Sequence, residues 1–372
     1  MKISVECGAL STGLQQVMNV VAQRPVMPIL GNVLLEADAG QLTMTTTNLD
    51  CSIRCSIGAE ITEPGKTTVN VRKFASIVKS LPCADVDLEM LAPGKQLKVS
   101  GGGSVFRIIT ADAADFPPLP AFDAAQTFSM EAADLRQMIS HVAYAQSADD
   151  HRQILNGIYF NFSDGRMTLV ATDGRRLSTV WKEICVPDGF FIVPSLTVEE
   201  LEKLLASGTE VHLSFNARQV AFHVACKSIS GPSSTYIISK VVEGNYPNYK
   251  QVIPGSADSR VRINRELFLS AIQRAALVTS DMSKSVKLTF GENFLEISAS
   301  SAEYGDARER LAVVHESRQS VEIGFNPRYL VEPLRALKDD EIIFEFRDHL
   351  SAGVIRNDGN FLCVIMPLRQ GV

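Results

Sequence analysis

Two short phrases, Asp164-Gly165-Arg166 and Asp173-Gly174-Arg175, carry the side chains best suited by type to do chemistry. Two carboxylates with neighbouring arginines could serve as paired acids acting on a phosphate ester. Each Asp, however, precedes a Gly, and that dipeptide is a turn signal. The six histidines, at 141, 151, 212, 223, 315 and 349, share no ligand spacing. Gly101-Gly102-Gly103 lies between Val99 and Val105 and reads as a hairpin turn. There is no Gly-x4-Gly-Lys-Ser/Thr loop, His-Glu-x-x-His or Gly-x-Ser-x-Gly. Seven cysteines, at 7, 51, 55, 83, 185, 226 and 363, are scattered without a Cys-x-x-Cys pair. Cys51 and Cys55 could share a strand face but have no His nearby, so buried reduced thiols are expected. No metal, no cofactor and no catalytic residue is expected.

The elements that position these residues repeat. A short alternating strand followed by an amphipathic helix is written six times. The helical stripes are Leu10-Leu14-Val17-Val21, Phe74-Ile77-Val78-Leu81, Leu135-Met138-Ile139-Val142, Val198-Leu201-Leu204-Leu205, Phe268-Ala271-Ile272-Ala275 and Leu330-Leu334-Leu337. Each recurs at three or four residues and so marks one face of a helix. Taken in pairs they give three like units, spaced by about 125 to 135 residues, a common domain size. Between them lie hairpin signals at Ala39-Gly40, Ser163-Asp164-Gly165 and Gly291-Glu292-Asn293, flanked by alternating strands. The fold class is α+β: three repeated domains, each of two helices packed on antiparallel sheets with about eight strands. Boundaries at Phe116–Pro120 and Tyr246–Ser256 predict domains at 1–125, 126–254 and 255–372. Pro333 falls deep in the last helix and should kink it or cost about 3 kcal/mol.

At 372 residues, with 45% apolar residues, the composition is that of an ordinary globular chain. No apolar run approaches a membrane span, and Met1–Glu6 alternates like a strand without an apolar signal core, which predicts a cytoplasmic protein with no membrane partner. The net charge is -6. Across the helical stretches 8–24, 72–81, 131–145, 196–207, 265–277 and 327–338, 11 Lys or Arg stand against 7 Asp or Glu, a surplus of +4, so the remainder carries -10. On charge alone these helices read equally well as solvated faces or as a surface for nucleic acid.

Several stretches together are specific. They are Arg24-Pro25-Val26-Met27-Pro28-Ile29-Leu30-Gly31-Asn32, Ala114-Asp115-Phe116-Pro117, Leu155-Asn156-Gly157, Ala171-Thr172-Asp173-Gly174-Arg175-Arg176-Leu177, Gly324-Phe325-Asn326 and Met366-Pro367-Leu368-Arg369. In this order, over the whole chain, they resemble the bacterial DNA polymerase III beta subunit family, the replicative sliding clamps. The resemblance implies a head-to-tail homodimer closing a six-domain ring around double-stranded DNA, gripped without regard to sequence. It also implies a pocket for short linear motifs of the replicative polymerase catalytic subunit, the clamp loader, translesion polymerases and mismatch-repair proteins.

Carried over residue by residue, the peptide pocket falls on Leu155, Thr172, Gly174, Arg175, Arg176, Leu177, Pro247, Val252, Asn326, Tyr329, Val364, Met366, Pro367, Leu368 and Arg369. Gln251 and Ser283 stand where some relatives carry Arg and an aromatic, and the 151–154 loop lacks an aromatic pair seen in some. Arg24 matches a DNA-contacting position. Helix placement adds Arg72, Lys73, Arg136, Lys203, Arg274, Arg328 and Arg335. For the dimer, Lys73, Ile77, Phe106, Arg107 and Ile108 form one expected surface and Leu277, Val278, Glu303 and Asp306 the other. Two other readings stay open at this point: a phosphate-ester hydrolase or other nucleic-acid enzyme using Asp164 and Asp173, and a monomeric repeat adaptor without DNA.

Overall fold

A computed structural model of the chain describes residues 1–91, 95–119, 122, 126–149, 151–226, 233–280, 284–315 and 320–368. Among them lie six α-helices: α1 (Cys7–Met18), α2 (Val71–Ser80), α3 (Ala132–Val142), α4 (Ser195–Leu205), α5 (Arg265–Ala276) and α6 (Pro327–Ala336). None of these is long and apolar enough to cross a membrane. All six sit where the apolar periodicity puts them, and the strands between them are antiparallel, as the α+β reading requires.

Several turns of the repeat share one device. Asn70 and Asn264 end a strand and Asn326 directly follows one; they cap α2, α5 and α6, accepting from the backbone N–H of Lys73, Leu267 and Arg328. Such a cap contributes about 1 kcal/mol. In α6, Pro327 takes the first turn, where its missing N–H costs nothing. The helix also runs on through Pro333, which is buried beside Leu330 and Leu334. Burial of that face offsets the lost backbone hydrogen bond.

One helix is shorter than expected. The stripe at 8–24 ends as helix at Met18. Val20 and Val21 are buried but no longer helical, and Arg24 is followed by Pro25, whose ring disfavours the α conformation at Arg24. Arg24 therefore stands in a loop, not on a helix.

The chain divides into two compact units, 1–137 with 193–241 and 138–192 with 242–372. In the first, a 13-stranded sheet is continuous because Cys51–Gly58 pairs with Ser233–Lys240, Ile53 opposite Ile237. Helix α1 packs against α2 and the sheet through Leu10, Leu14 and Val17, with Phe74 and Val78 from α2. In the second, a nine-stranded and a four-stranded sheet enclose a core in which Phe290 stacks on Phe346 at 4.3 Å and on Phe344 at 5.4 Å. Here Arg176–Glu183 pairs with Phe361–Ile365, so the middle and the end of the chain share one sheet.

The cysteines are free thiols. Burial pushes Cys51 and Cys363 up to about 12 and Cys55 up to about 11.

Candidate binding sites

The two Asp-Gly phrases do not converge. Asp164 and Gly165, both at positive φ, form the two-residue turn between Gly157–Ser163 and Arg166–Thr172, with Ser163 opposite Arg166. Asp173 lies at the far end of that second strand, about 30 Å away at the usual rise per residue. Its carboxylate is engaged, accepting from the backbone N–H of Arg175 at 2.9 Å and of Arg176 at 3.1 Å, and from Arg176 Nε at 3.2 Å. The paired-acid reading therefore fails on geometry. Gly101-Gly102-Gly103 is a hairpin turn as expected, with Gly101 opposite Ser104 and positive φ at Gly102 and Gly103.

Asp173 helps to build something else. Thr172 Oγ1 donates to the Arg176 carbonyl at 2.6 Å and accepts from the Gly174 N–H at 3.1 Å, which closes a tight loop. Gly174 has φ +85, a conformation L side chains rarely adopt, and an added Cβ would meet Arg152. The loop turns Arg175 out and Arg176 in. Arg176 is 4% exposed. Its guanidinium pairs with Asp173 and Glu332 and donates to the Tyr144 carbonyl. Arg175 is exposed and hydrogen-bonds Tyr329, which raises its already high pKa.

Beside this loop is an apolar cluster, the floor of the expected peptide groove. Leu177 pairs with Val364 across the strands, and both are buried with Val170, Val354 and Leu362. Tyr159, Tyr246, Tyr249 and Ile253 pack on that cluster, and Tyr159 stacks on Tyr246 at 4.6 Å. Leu155 is half-buried; Val252, Met366 and Leu368 are exposed at 54%, 49% and 39%. The chain end is tied down by the Met366 N–H to the Arg175 carbonyl at 2.9 Å and the Leu368 N–H to the Gly324 carbonyl at 2.8 Å. Pro247 is exposed, Pro367 and Tyr329 are half-buried, and Asn326 is committed to the α6 cap. Arg369 and Ser283 lie outside the described residues. Tyr144, Tyr159, Tyr246 and Glu332 belong to this site without having been singled out by sequence. The Tyr246–Tyr249 segment reads as a linker, although two tyrosines spaced by a Pro and an Asn could have signalled a packed turn.

The basic residues sort into two groups. Arg72 donates to the Val21 carbonyl at 2.7 Å and Lys203 to Glu200 at 2.6 Å. Arg274 grips Glu309 with Nε and Nη2 at 2.7 and 2.9 Å, and Arg328 donates to Glu332 at 2.8 Å. Among the described residues, Arg24, Lys73, Arg136 and Arg335 are exposed with no such intramolecular partner, so their donors are open to solvent or a phosphate.

Among the described residues, two strands on the expected dimer surfaces have an unpaired edge. Ser104–Ala111 pairs along one side with Gln96–Gly101 but meets Gly65–Asn70 only at Thr110 and Ala111. It exposes Val105, Phe106 and Ile109, the last at 79%, with Arg107 between them. Gly305–Ala312 is one of the two outer strands of the four-stranded sheet, with Asp306 exposed. Leu277, at the end of α5, is 79% exposed, Val278 half-buried and Glu303 exposed. On α2, Lys73 is exposed and Ile77 half-buried, as is Ile108.

Three family models match this chain in succession: the DNA polymerase III beta subunit N-terminal domain at residues 1–120, its central domain at 129–248 and its C-terminal domain at 250–369. The beta sliding clamp of Escherichia coli K12 is 32% identical over 99% of this chain and 100% of its own. Solved structures agree over the full length of both chains. The DNA polymerase III subunit beta of Pseudomonas aeruginosa is 30% identical with a TM-score of 0.90. The sliding clamp of Bartonella birtlesii, bound to griselimycin, is 30% identical with a TM-score of 0.92.

Proposed function

We propose a function from one premise: this chain belongs to the DNA polymerase III beta subunit family, the beta sliding clamps. It acts as a DNA sliding clamp for a replicative polymerase. In our reading it does so as a head-to-tail homodimer, with domains at 1–125, 126–254 and 255–372 and no catalysis of its own. The full-length, three-part family match carries this reading.

Size supports the dimer. A domain of about 120 residues is about 35 Å across. Three such spheres in contact leave a hole of roughly 5 Å and six leave roughly 35 Å, while the DNA grooves together are about 16 Å deep. One chain cannot encircle a duplex; two can. The open edge at 104–111 of one copy would pair with the edge at 305–312 of the other, with Arg107, Glu303 and Asp306 setting register. Arg24, Lys73, Arg136 and Arg335 supply weak, phosphate-directed contacts, and weak contacts permit sliding.

The groove at Leu177 and Val364 receives short motifs from the polymerase catalytic subunit, the clamp loader, translesion polymerases and mismatch-repair proteins, in the cytoplasm. A Leu or Phe anchor filling it is worth about 1.5 to 3 kcal/mol, which suits micromolar, exchangeable binding. The test is retention: loaded by its clamp loader, the protein should stay on closed circular DNA and run off after linearisation. Equal loss from both forms would refute a topological clamp.

A further inference from the structure

We propose that a cationic cleft beside the peptide groove takes an acidic stretch of the partner chain that flanks its apolar anchor. This deepens the groove reading above and rests on it. The cleft encloses about 580 Å³ and is lined by Ala352 and Val354 together with Arg260, Arg347, Arg356 and Glu345. Val354 belongs to the same buried cluster as Leu177 and Val364, and Ala352 packs on that cluster. Groove and cleft thus share a wall. A peptide anchored over Leu177 carries its neighbouring residues, at about 3.4 Å each, toward the arginines.

The charge arrangement favours carboxylates. Glu345, 6% exposed, lies opposite Arg260 in the strand pairing. It holds Arg260 Nη2 at 2.7 Å and accepts from Arg356 Nε at 2.8 Å. One buried carboxylate thereby orients two guanidiniums without consuming their donors, since each has five N–H groups. Arg347 donates to Ser256 at 2.9 Å, pairs loosely with Asp258 at 3.7 Å, and remains 54% exposed at its side chain. Three Arg stand against Glu345 and the Asp258 paired with Arg347, +1, in a chain whose net charge is -6. Asp and Glu side chains match the planar fork of Arg, and the apolar wall suits a peptide backbone more than a sugar-phosphate one.

The experiment titrates the full-length protein with a Gln-and-Leu/Phe-containing clamp peptide, extended at either end by three Asp, three Ser or three Lys. The Asp extension at one end should bind about tenfold tighter than the Ser extension. The Lys extension should bind more weakly, and the Asp gain should shrink at high salt. The gain should vanish in Arg347→Gln and in the triple variant Arg260→Gln, Glu345→Gln, Arg356→Gln, which leaves no buried charge unpaired, while both keep wild-type affinity for the Ser-extended peptide. Asp extensions no tighter than Ser at both ends overturn the proposal, using the wild-type protein alone. So does loss of the Asp gain to a single-stranded oligonucleotide of equal charge while the Ser peptide stays bound, which would assign the cleft to nucleic acid. Absence of binding by the Ser-extended peptide is a separate result: it removes the groove itself, and the cleft proposal with it.

Discussion

Arg176 holds its guanidinium over the ring of Tyr329, 4.6 Å from the centroid, and so fastens the strand Arg176–Glu183 to α6. The same group lies 5.4 Å from the Tyr144 ring and pairs with Asp173 and Glu332. A side chain this buried and this connected is the keystone of the loop that shapes the groove. Its neighbour Arg175 faces solvent, so two adjacent arginines have opposite roles.

Replacing Arg176 by Ala leaves Asp173 without its cation, leaves Glu332 with Arg328 alone, and vacates a packed site. The expected loss is about 3 kcal/mol. It should appear as a lower denaturant midpoint, together with weakened peptide binding. Arg176→Lys keeps the charge but not the fork or the stacking, and should fall between. An Arg176→Ala midpoint equal to wild type would mean that the pairing contributes nothing.

The fold is largely legible in the sequence because its periodicities are strong. All six helical stripes and the turns at Ala39-Gly40, Asp164-Gly165 and Gly291–Asn293 follow from spacing and turn chemistry. What spacing does not supply is the partner of each charge. Arg274 and Arg136 look alike as exposed helix cations, yet one is clamped by Glu309, 35 positions away, and the other has no such carboxylate partner among the described residues. The same limit hides Glu332 and Tyr144, which reach Arg176 only once the strands and α6 are assembled. The apolar neighbours of Arg24 suggest a helix there, but Val20 and Val21 are buried by a loop instead.

That sorting predicts different DNA phenotypes. Changing Arg24 and Arg136 to Gln should lower the magnitude of the salt slope of DNA association by about 0.9 for each phosphate that is no longer neutralised. Arg274→Gln should leave the slope unchanged, since Glu309 already neutralises that cation. Fluorescence anisotropy across a salt series measures both, and a slope unaffected by the double change would remove these residues from the DNA surface.

The open edges predict a separable dimer defect. Arg107→Glu with Ile108→Asp places two carboxylates on the strand Ser104–Ala111 and opposes its pairing with a partner strand that carries Asp306. Sedimentation should show monomers whose thermal unfolding is otherwise native-like. A variant that remains dimeric puts the interface elsewhere.

Deleting residues 366–372 removes Met366 and Leu368 from the groove rim and the two backbone hydrogen bonds that tie them to Arg175 and Gly324. Affinity for a Gln-and-Leu/Phe-containing peptide should fall at least tenfold, because one apolar anchor dominates so small a site. Sedimentation should remain that of the dimer, as neither proposed edge strand is touched. Unchanged peptide affinity after truncation would rule the groove out.

Thiol labelling tests the core and its pH response together. The thiolate is the reactive form. Burial raises Cys51 and Cys363 to about 12 and Cys55 to about 11, so in the folded protein each stays protonated through neutral pH and well above it. Cys185 is exposed. At pH 8, a thiol reagent should modify Cys185 first and leave the three buried cysteines protected until denaturant exposes them. Because their folded values are raised above the ordinary thiol value, folding holds their protons. Their contribution to stability is complete below that ordinary value and declines as pH climbs toward 11 to 12. Peptide mapping after timed labelling reads the order, and native-state modification of Cys363 as fast as Cys185 would contradict the packing of the strand Phe361–Ile365.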